Sequence, residues 1–455
     1  MPASAWQIQS GVAGVAWPAI PEPNGAAVLA VLHQLEQTQW LGAQALQALQ
    51  LRQLGTVLQH AYATVPYYRA RWAGAYDPRA PLGAEQFSRL PLLSRRDLQD
   101  RFLELRSDNP PSAHGAPEER RTSGSTGAPV RFLGTPLNGL YWNAFTLRDH
   151  LWHRRDLSRK LAVIRRETQR SDVASWGPAT NGLVLTGRSV GNTVREDAAA
   201  QLAWLREEQP AYLYSYPSLI AEIARLSLRE GIRLPGLLEV RTLAEALGPD
   251  IRALVREAWG VPLTDLYSAS ETGYLALQCP QHEHYHVQSE GVLLEILDDA
   301  GKLCAPGQVG RVVATTLHNF AMPLVRYDIG DYAEAGAPCP CGRGLPVIRR
   351  ILGRVRNMLT TADGRKYWPL FGLRAMMDVV PVLQYQFVQK AYDLVEGRLV
   401  VAGPLSADQE KKLHQSIVEL FPRGVQLRFA YCERIERSAS GKFEDFLSEV
   451  SAAPR

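Results

Sequence analysis

The stretch 121–130, R-T-S-G-S-T-G-A-P-V, carries the first recognisable chemistry. Thr122, Ser123, Ser125 and Thr126 are interleaved with Gly124 and Gly127, and Pro129 closes the run. Glycine lets a backbone approach a ligand and take positive φ, so successive N–H groups can converge on an anion. Hydroxyls in the same loop add donors for phosphate oxygens. Composition alone favours a Ser/Gly-rich surface linker, so the weight falls on the groups that accompany this loop farther along the chain.

Four later stretches supply complementary groups. L-Y-S-A-S-E-T at 266–272 offers an aromatic face in Tyr267, a hydroxyl in Ser270 and, in Glu271, a carboxylate suited to Mg²⁺. It follows a buried strand, and open α/β sheets place ligands at strand C-terminal ends. In V-R-Y-D-I-G-D at 325–331, Asp331 can accept two hydrogen bonds from a vicinal diol such as ribose. G-R-V-R-N-M-L at 353–359 puts Arg354 at a change of sequence texture, and R-S-A-S-G-K-F at 437–443 presents Lys442 in a Ser/Gly loop. A lysine there can neutralise charge developing between a phosphoryl group and an attacking carboxylate. Taken singly, each has an ordinary reading as a strand exit, a turn aspartate or a solvated cation.

Five cysteines (279, 304, 339, 341, 432) are too few and too odd in number for a disulfide framework. C-P-Q-H at 279–282 and C-P-C-G-R at 339–343 instead present a Cys₃His set, Cys279, His282, Cys339 and Cys341. Four such donors close a tetrahedral Zn²⁺ site with no open position, so its role would be structural. His286 competes as fourth ligand; His282 is preferred because a two-residue spacer lets one turn supply both donors.

The elements that must position these groups read as α/β. A chain of 455 residues requires a large domain and at least one smaller one. Residues 26–76 read as helical, and Ser94 is placed as an N-cap before a short helix. Between 199 and 268, helices and buried strands alternate: Leu219, Ile223 and Leu226 line a helix ended by Gly231, and 238–243 is a strand. Ile251, Leu254, Val255 and Ala258 then repeat before Gly260, and 262–267 is the next strand. From 291 a hairpin opens a β-rich subdomain. After 353 come two strands around a Glu396–Gly397 turn, a helix with Leu413, Ile417 and Leu420, and a further strand, a small α+β domain. The expected boundaries are 1–352 and 353–455.

A net charge of +4 is too mild to argue for nucleic acid or membrane partners. With no long apolar run and no basic-then-apolar start, a cytoplasmic protein is expected. Only seven of the fifty cationic residues are Lys, a coding bias that nonetheless makes each Lys, Lys442 among them, worth inspecting.

In order along the chain, these five stretches together with V-P-Y-Y-R (65–69), L-P-L-L-S-R-R-D-L (90–98) and A-E-A-L-G-P-D (244–250) resemble the adenylate-forming superfamily of acyl- and aryl-CoA ligases, nearest its phenylacetate–CoA ligase-like branch. The resemblance spans about residues 50–445. It implies a large ATP- and acid-binding domain and a small mobile lid carrying Lys442. By the same match Thr122 to Gly127 cradle the β- and γ-phosphates, and the turn holding Glu245 lies on the adenine side. Tyr267 stacks on adenine, Ser270 meets the α-phosphate and Glu271 holds Mg²⁺. Asp331 binds ribose with Arg354 assisting, and Lys442 bridges α-phosphate and substrate carboxylate. Catalysis is assigned to Lys442, Glu271 and Ser270. The small domain swings at 353–356 to admit CoA thiol. Tyr214 and Tyr216, in a stretch the family places beside its pocket, suit an aromatic acid.

Val130 stands where many members have Lys or Thr, and Arg356 where the hinge often has Asp. An amine or carrier-protein acceptor, a non-catalytic nucleotide-binding relative and a homodimer stay open. A P-loop nucleotidase is disfavoured, because the loop lacks the G-x-x-x-x-G-K-[ST] lysine and precedes no obvious capped helix.

Overall fold

The computed structural model describes residues 6–122, 129–166, 168–354, 357–368, 380, 382–437 and 442–450. By internal contacts the chain divides into two units, one of residues 1–161, 172–189 and 265–351, the other of 162–171, 190–264 and 352–455. No helix among the described residues is long and apolar enough to cross a membrane.

The first unit opens with helices Pro23–Thr38, Ala43–Thr64 and Pro66–Arg71. The helical reading of 26–76 therefore holds, with two breaks. Pro66 causes the second: it drives Val65 out of the helical region (φ −110°, ψ 111°) and then occupies the first turn of the next helix, where its missing N–H costs nothing. Leu54, Val57, Leu58 and Ala61 repeat at helical spacing and are fully buried. Ser94 is the expected N-cap, in a reciprocal box with Asp97.

These helices share one core with a mainly antiparallel sheet. Its strand order is Val292–Leu297, Val309–Thr316, Tyr327–Ala335, Val347–Arg354, Tyr285–Val287, Gly273–Gln278, Leu263–Ala269. The hairpin expected after 291 is present, with Val292 opposite Thr316 and Leu297 opposite Arg311. The 263–269 strand exits into a tight hairpin. It turns back through Ser270, Glu271 and Thr272 and pairs antiparallel with Gly273–Gln278; Gly273, at φ 87°, makes the short return.

In the second unit, parallel strands Tyr212–Ser215 and Glu239–Thr242 alternate with helices Ala198–Glu208, Pro217–Arg229 and Ile251–Trp259. Gly260 ends the last helix in the left-handed conformation, as its position implies. The same unit holds a four-stranded sheet ordered Gln426–Tyr431, Leu394–Val401, Val382–Ala391, Phe446–Ser448, covered by helix Ala407–Val418 over its own apolar core.

One expectation fails here. The hairpin turns at Tyr392–Asp393, and Glu396–Gly397 lie inside a strand. Gly397 faces Phe387, and a Cβ on it would stand 3.0 Å from the rings of Phe387 and Phe429. The glycine is there to admit two phenylalanines, not to bend the chain.

Candidate active site

Two hydrogen bonds join the hairpin around 270 to strand Tyr327–Ala335. The Tyr267 hydroxyl donates to Asp331 Oδ2 at 2.8 Å, and the Tyr327 hydroxyl donates to Glu271 Oε1 at 3.3 Å. Tyr267, Ser270, Glu271 and Asp331, up to 64 residues apart in sequence, are thus gathered in one unit. Glu271 and Tyr267 are buried, whereas Ser270 at the hairpin tip is exposed. A buried carboxylate on a rigid tip beside an exposed hydroxyl suits a cation and a phosphate approaching from outside.

The support behind this pair comes from motifs whose purpose was opaque in the sequence. Leu93 bridges the strand that carries Asp331: its N–H donates to the Arg326 carbonyl, and its carbonyl accepts from Asp328 N–H, both at 2.9 Å. That places Arg95, at the start of helix Arg95–Asp100, where its side chain hydrogen-bonds Tyr327. Burial first, and then the Glu271 charge, push the Tyr327 hydroxyl well above its ordinary range, with Arg95 opposing. Tyr327 therefore stays a proton donor to Glu271. Tyr68 of V-P-Y-Y-R donates to the Pro323 carbonyl and accepts from Val325 N–H, fixing the entry to the same strand. Arg95 and Tyr327 were missed because their role is to hold a neighbour in place.

Thr122 lies at the end of a two-stranded ribbon, Glu118–Arg121 with Arg131–Gly134. Its amide donates to the Val130 carbonyl and its hydroxyl accepts from Val130 N–H, both at 2.9 Å. Ser123, Gly124, Ser125, Thr126 and Gly127 lie outside the described residues, as does Arg356.

The remaining site residues belong to the second unit. Arg354 ends a strand, its amide donating to Asn357 Oδ1. Lys442 is half-buried. Glu245 follows Ala244, which holds an uncommon left-handed φ of 67°. Its carboxylate accepts from Ser218 N–H and Phe443 N–H, so the backbone of this turn, not the side chain, is what a base could meet. Tyr216 is 3 % exposed, with its hydroxyl 3.5 Å from the Arg166 amide, whereas Tyr214 is half-buried under the Arg241 guanidinium.

The thiol cluster forms, with a change of histidine. Single donor atoms of Cys279, His284, His286 and Cys339 all lie within 4.8 Å of one another. His284 Nε2 is 2.9 Å from Cys339 Sγ, and Cys341 Sγ is 3.4 Å from His286 Nε2. The preference for His282 is corrected: its ring stacks on His284 outside the set. In the turn after Cys279, the backbone amides of Gln281 and His282 hydrogen-bond the Cys279 sulfur, so His282 contributes its amide and not its ring. His284 and His286, two apart on an extended segment, then point to the same side. Burial lowers His286 to about 4, leaving a neutral imidazole at neutral pH.

The chain is 28% identical over 438 residues to a phenylacetate–coenzyme A ligase of Thermus thermophilus, covering 90% of this chain and 94% of that one. The chain is a homologue of phenylacetate–CoA ligases. A second such homologue, from Pseudomonas putida, is 27% identical and covers 71% of this chain and 74% of its own. Among solved structures, a 2-hydroxyisobutyryl-CoA ligase in a postadenylation complex matches with a TM-score of 0.71 at 19% identity, over 91% of this chain and 92% of that one, a likeness of fold. No protein-family model matches this phenylacetate–CoA ligase homologue.

Proposed function

We propose that the chain is an ATP-dependent acid–CoA ligase. In the first step an oxygen of the acid bonds to the α-phosphorus, and the bond to the β-bridging oxygen breaks, releasing pyrophosphate with that electron pair. In the second, the CoA sulfur bonds to the acyl carbon, AMP departs with the oxygen electron pair, and the thiol proton passes to solvent. The observation that carries this reading is the pair of hydrogen bonds joining Tyr267 to Asp331 and Tyr327 to Glu271, in a chain matching a phenylacetate–CoA ligase over nine-tenths of its length.

In this reading Asp331 takes the ribose hydroxyls and leaves the Tyr267 ring face for adenine. Ser270 meets the α-phosphate, Thr122 to Gly127 take the outer phosphates, Arg354 assists, and Lys442 neutralises charge between phosphate and acid. Glu271 is the residue that would hold Mg²⁺. Among the described residues it belongs to no three-ligand cluster, which suits an ion ligated mainly by water and substrate phosphates. Bound there, Mg²⁺ would supply positive charge to the phosphates. Residues 353–455, acting as a lid, would withdraw Lys442 before thiol transfer. Tyr214, the less buried tyrosine, is the better candidate to meet an aromatic acid.

The second metal reading is structural: a Zn²⁺ held by Cys279, Cys339, His284 and His286, with Cys341 adjacent. Softness of the donors, their burial and amide hydrogen bonds to the sulfurs favour zinc over a hard cation.

ATP–pyrophosphate exchange across a panel of aryl, hydroxyaryl and short aliphatic acids tests the function. Exchange with at least one acid, followed by thioester formation on adding CoA, is expected. Silence across the panel would overturn the reading, and exchange with no thioester would move the acceptor from CoA to an amine or a carrier thiol.

A further inference from the structure

Arg437 and Phe443 flank the Ser/Gly loop that carries Lys442, and both are tied to the same small group of side chains. Arg437 Nη1 donates to Ser218 Oγ at 2.7 Å, and Nη2 donates to Glu222 Oε1 at 2.7 Å. On the other side, Phe443 N–H donates to Glu245 Oε1 at 2.7 Å, and that oxygen lies 3.9 Å from Arg437 Nη1. The second oxygen of Glu245 accepts from Ser218 N–H at 3.1 Å, an amide in the first turn of helix Pro217–Arg229 that no helical carbonyl satisfies. Ser218 and Glu222 are one turn apart on that helix. The side chains of Arg437, Glu222 and Glu245 are only 14%, 17% and 5% exposed. An arginine so enclosed, with a carboxylate on either side, is held by charge-assisted bonds much stronger than those of a surface pair.

We propose that Arg437 and Glu245 are positioning residues for the first half-reaction, fixing the chain on both sides of Lys442 so that its ammonium is presented to the α-phosphate. Neither need touch substrate; both act through Lys442. The contrast with its surroundings supports this. The segment after Lys442 is also stitched to its own sheet, Phe387 N–H donating to the Asp445 carbonyl at 2.8 Å, but those backbone bonds would persist whether or not Lys442 were presented. The Arg437–Glu245 group adds a second set of bonds, made by side chains of residues 218–245.

The proposal rests on the ligase reading, and its test keeps the two apart. With the panel acid giving the fastest exchange, ATP–pyrophosphate exchange is measured beside thioester formation from the synthetic acyl-adenylate and CoA. Arg437→Ala and Glu245→Gln are expected to slow exchange by roughly 10- to 100-fold, the loss of one or two charge-assisted bonds, in kcat more than in the KM for ATP. Thioester formation should change by less than about twofold, and Arg437→Lys should recover part of the exchange. Glu222→Gln, a milder change, should give a smaller loss of the same kind. In a Lys442→Ala background, Arg437→Ala should add nothing further, because it has no lysine left to position. Equal losses in both half-reactions, or full additivity with Lys442→Ala, would overturn the positioning role. Wild-type protein silent in exchange would overturn the ligase reading together with it.

Discussion

The two units hold their chemical groups in opposite ways. In the first, Tyr267 and Asp331 stand on separate strands of one antiparallel sheet, with Glu271 in the turn just after the first, and each carboxylate receives a tyrosine hydroxyl from the other segment. Moving one would break backbone pairing as well as side-chain bonds. In the second, Lys442 rides on a loop whose neighbours are tied by a few charged side chains. The fixed groups suit tasks that persist through a cycle, such as gripping ribose and a cation. The tied loop suits a group needed in one step and unwanted in the next.

The largest effect expected from this contrast is on Lys442. Lys442→Ala is expected to cut pyrophosphate exchange by roughly a thousandfold or more, the scale of losing a charge aimed at a transition state, while thioester formation from preformed adenylate survives. A comparable loss in both steps would mean Lys442 is as permanently required as the sheet-borne groups, and the contrast would fail. On the fixed side, Asp331→Asn should raise the KM for ATP by about 10- to 100-fold and impair both half-reactions that hold a nucleotide. Tyr327→Phe, which removes one donor from Glu271, should cost about tenfold in exchange.

The zinc reading sharpens the same contrast, because Cys279 directly follows the Gly273–Gln278 strand of the fixed hairpin. Protein as purified should carry about one zinc per chain, and Cys339→Ser should lose it and melt the first unit about 5–10 °C lower. Metal-free protein of unchanged stability would dismiss the site.

Much of this was legible in the sequence, and the failures are informative. Helices with full periodicity and a marked stop, such as Ile251–Trp259 ahead of Gly260, were read almost to the residue because pattern and cap agree. Gly397 was misread because the glycine signal for a turn and the glycine signal for a crowded strand are identical until Phe387 and Phe429 are seen above it. Spacing prefers His282 to His286 and passes over His284; only the amide hydrogen bonds to Cys279 show why the nearest histidine is turned away. Arg95, Tyr327 and Arg437 lie inside the stretches 90–98, 325–331 and 437–443, but the sequence assigns them no role there, since each acts on a neighbour far away in sequence. Gly397→Ala should destabilise the C-terminal sheet by about 1–3 kcal/mol through overpacking, measurable by denaturant unfolding; a neutral change would show that the two rings can yield.

The smallest effect is one of sign, and it opposes the two units directly. Asp445, beside the lysine loop, has its carboxyl pushed up to about 6, chiefly by burial and then by the facing Glu245, with Arg225, Tyr385 and Arg437 pulling it down. A carboxyl raised above its unfolded value of about 3.9 binds more protons in the folded state. Its stabilising contribution is complete below about 4 and is lost as pH rises through 6. In the first unit Glu290 behaves the other way. Burial raises its carboxyl, but Arg148 and the Thr38 hydroxyl outweigh that and leave it lowered, so its contribution is present at neutral pH and is lost as pH falls through its folded value. Between pH 8 and 5.5, amide exchange corrected for its intrinsic pH dependence should therefore show protection increasing around 442–450 and not around 285–297. Asp445→Asn should flatten the first trend and leave the second untouched. The same slope in both segments would mean that Asp445 is no more enclosed than a surface carboxylate, and that the loop carrying Lys442 is held less tightly than its hydrogen bonds imply.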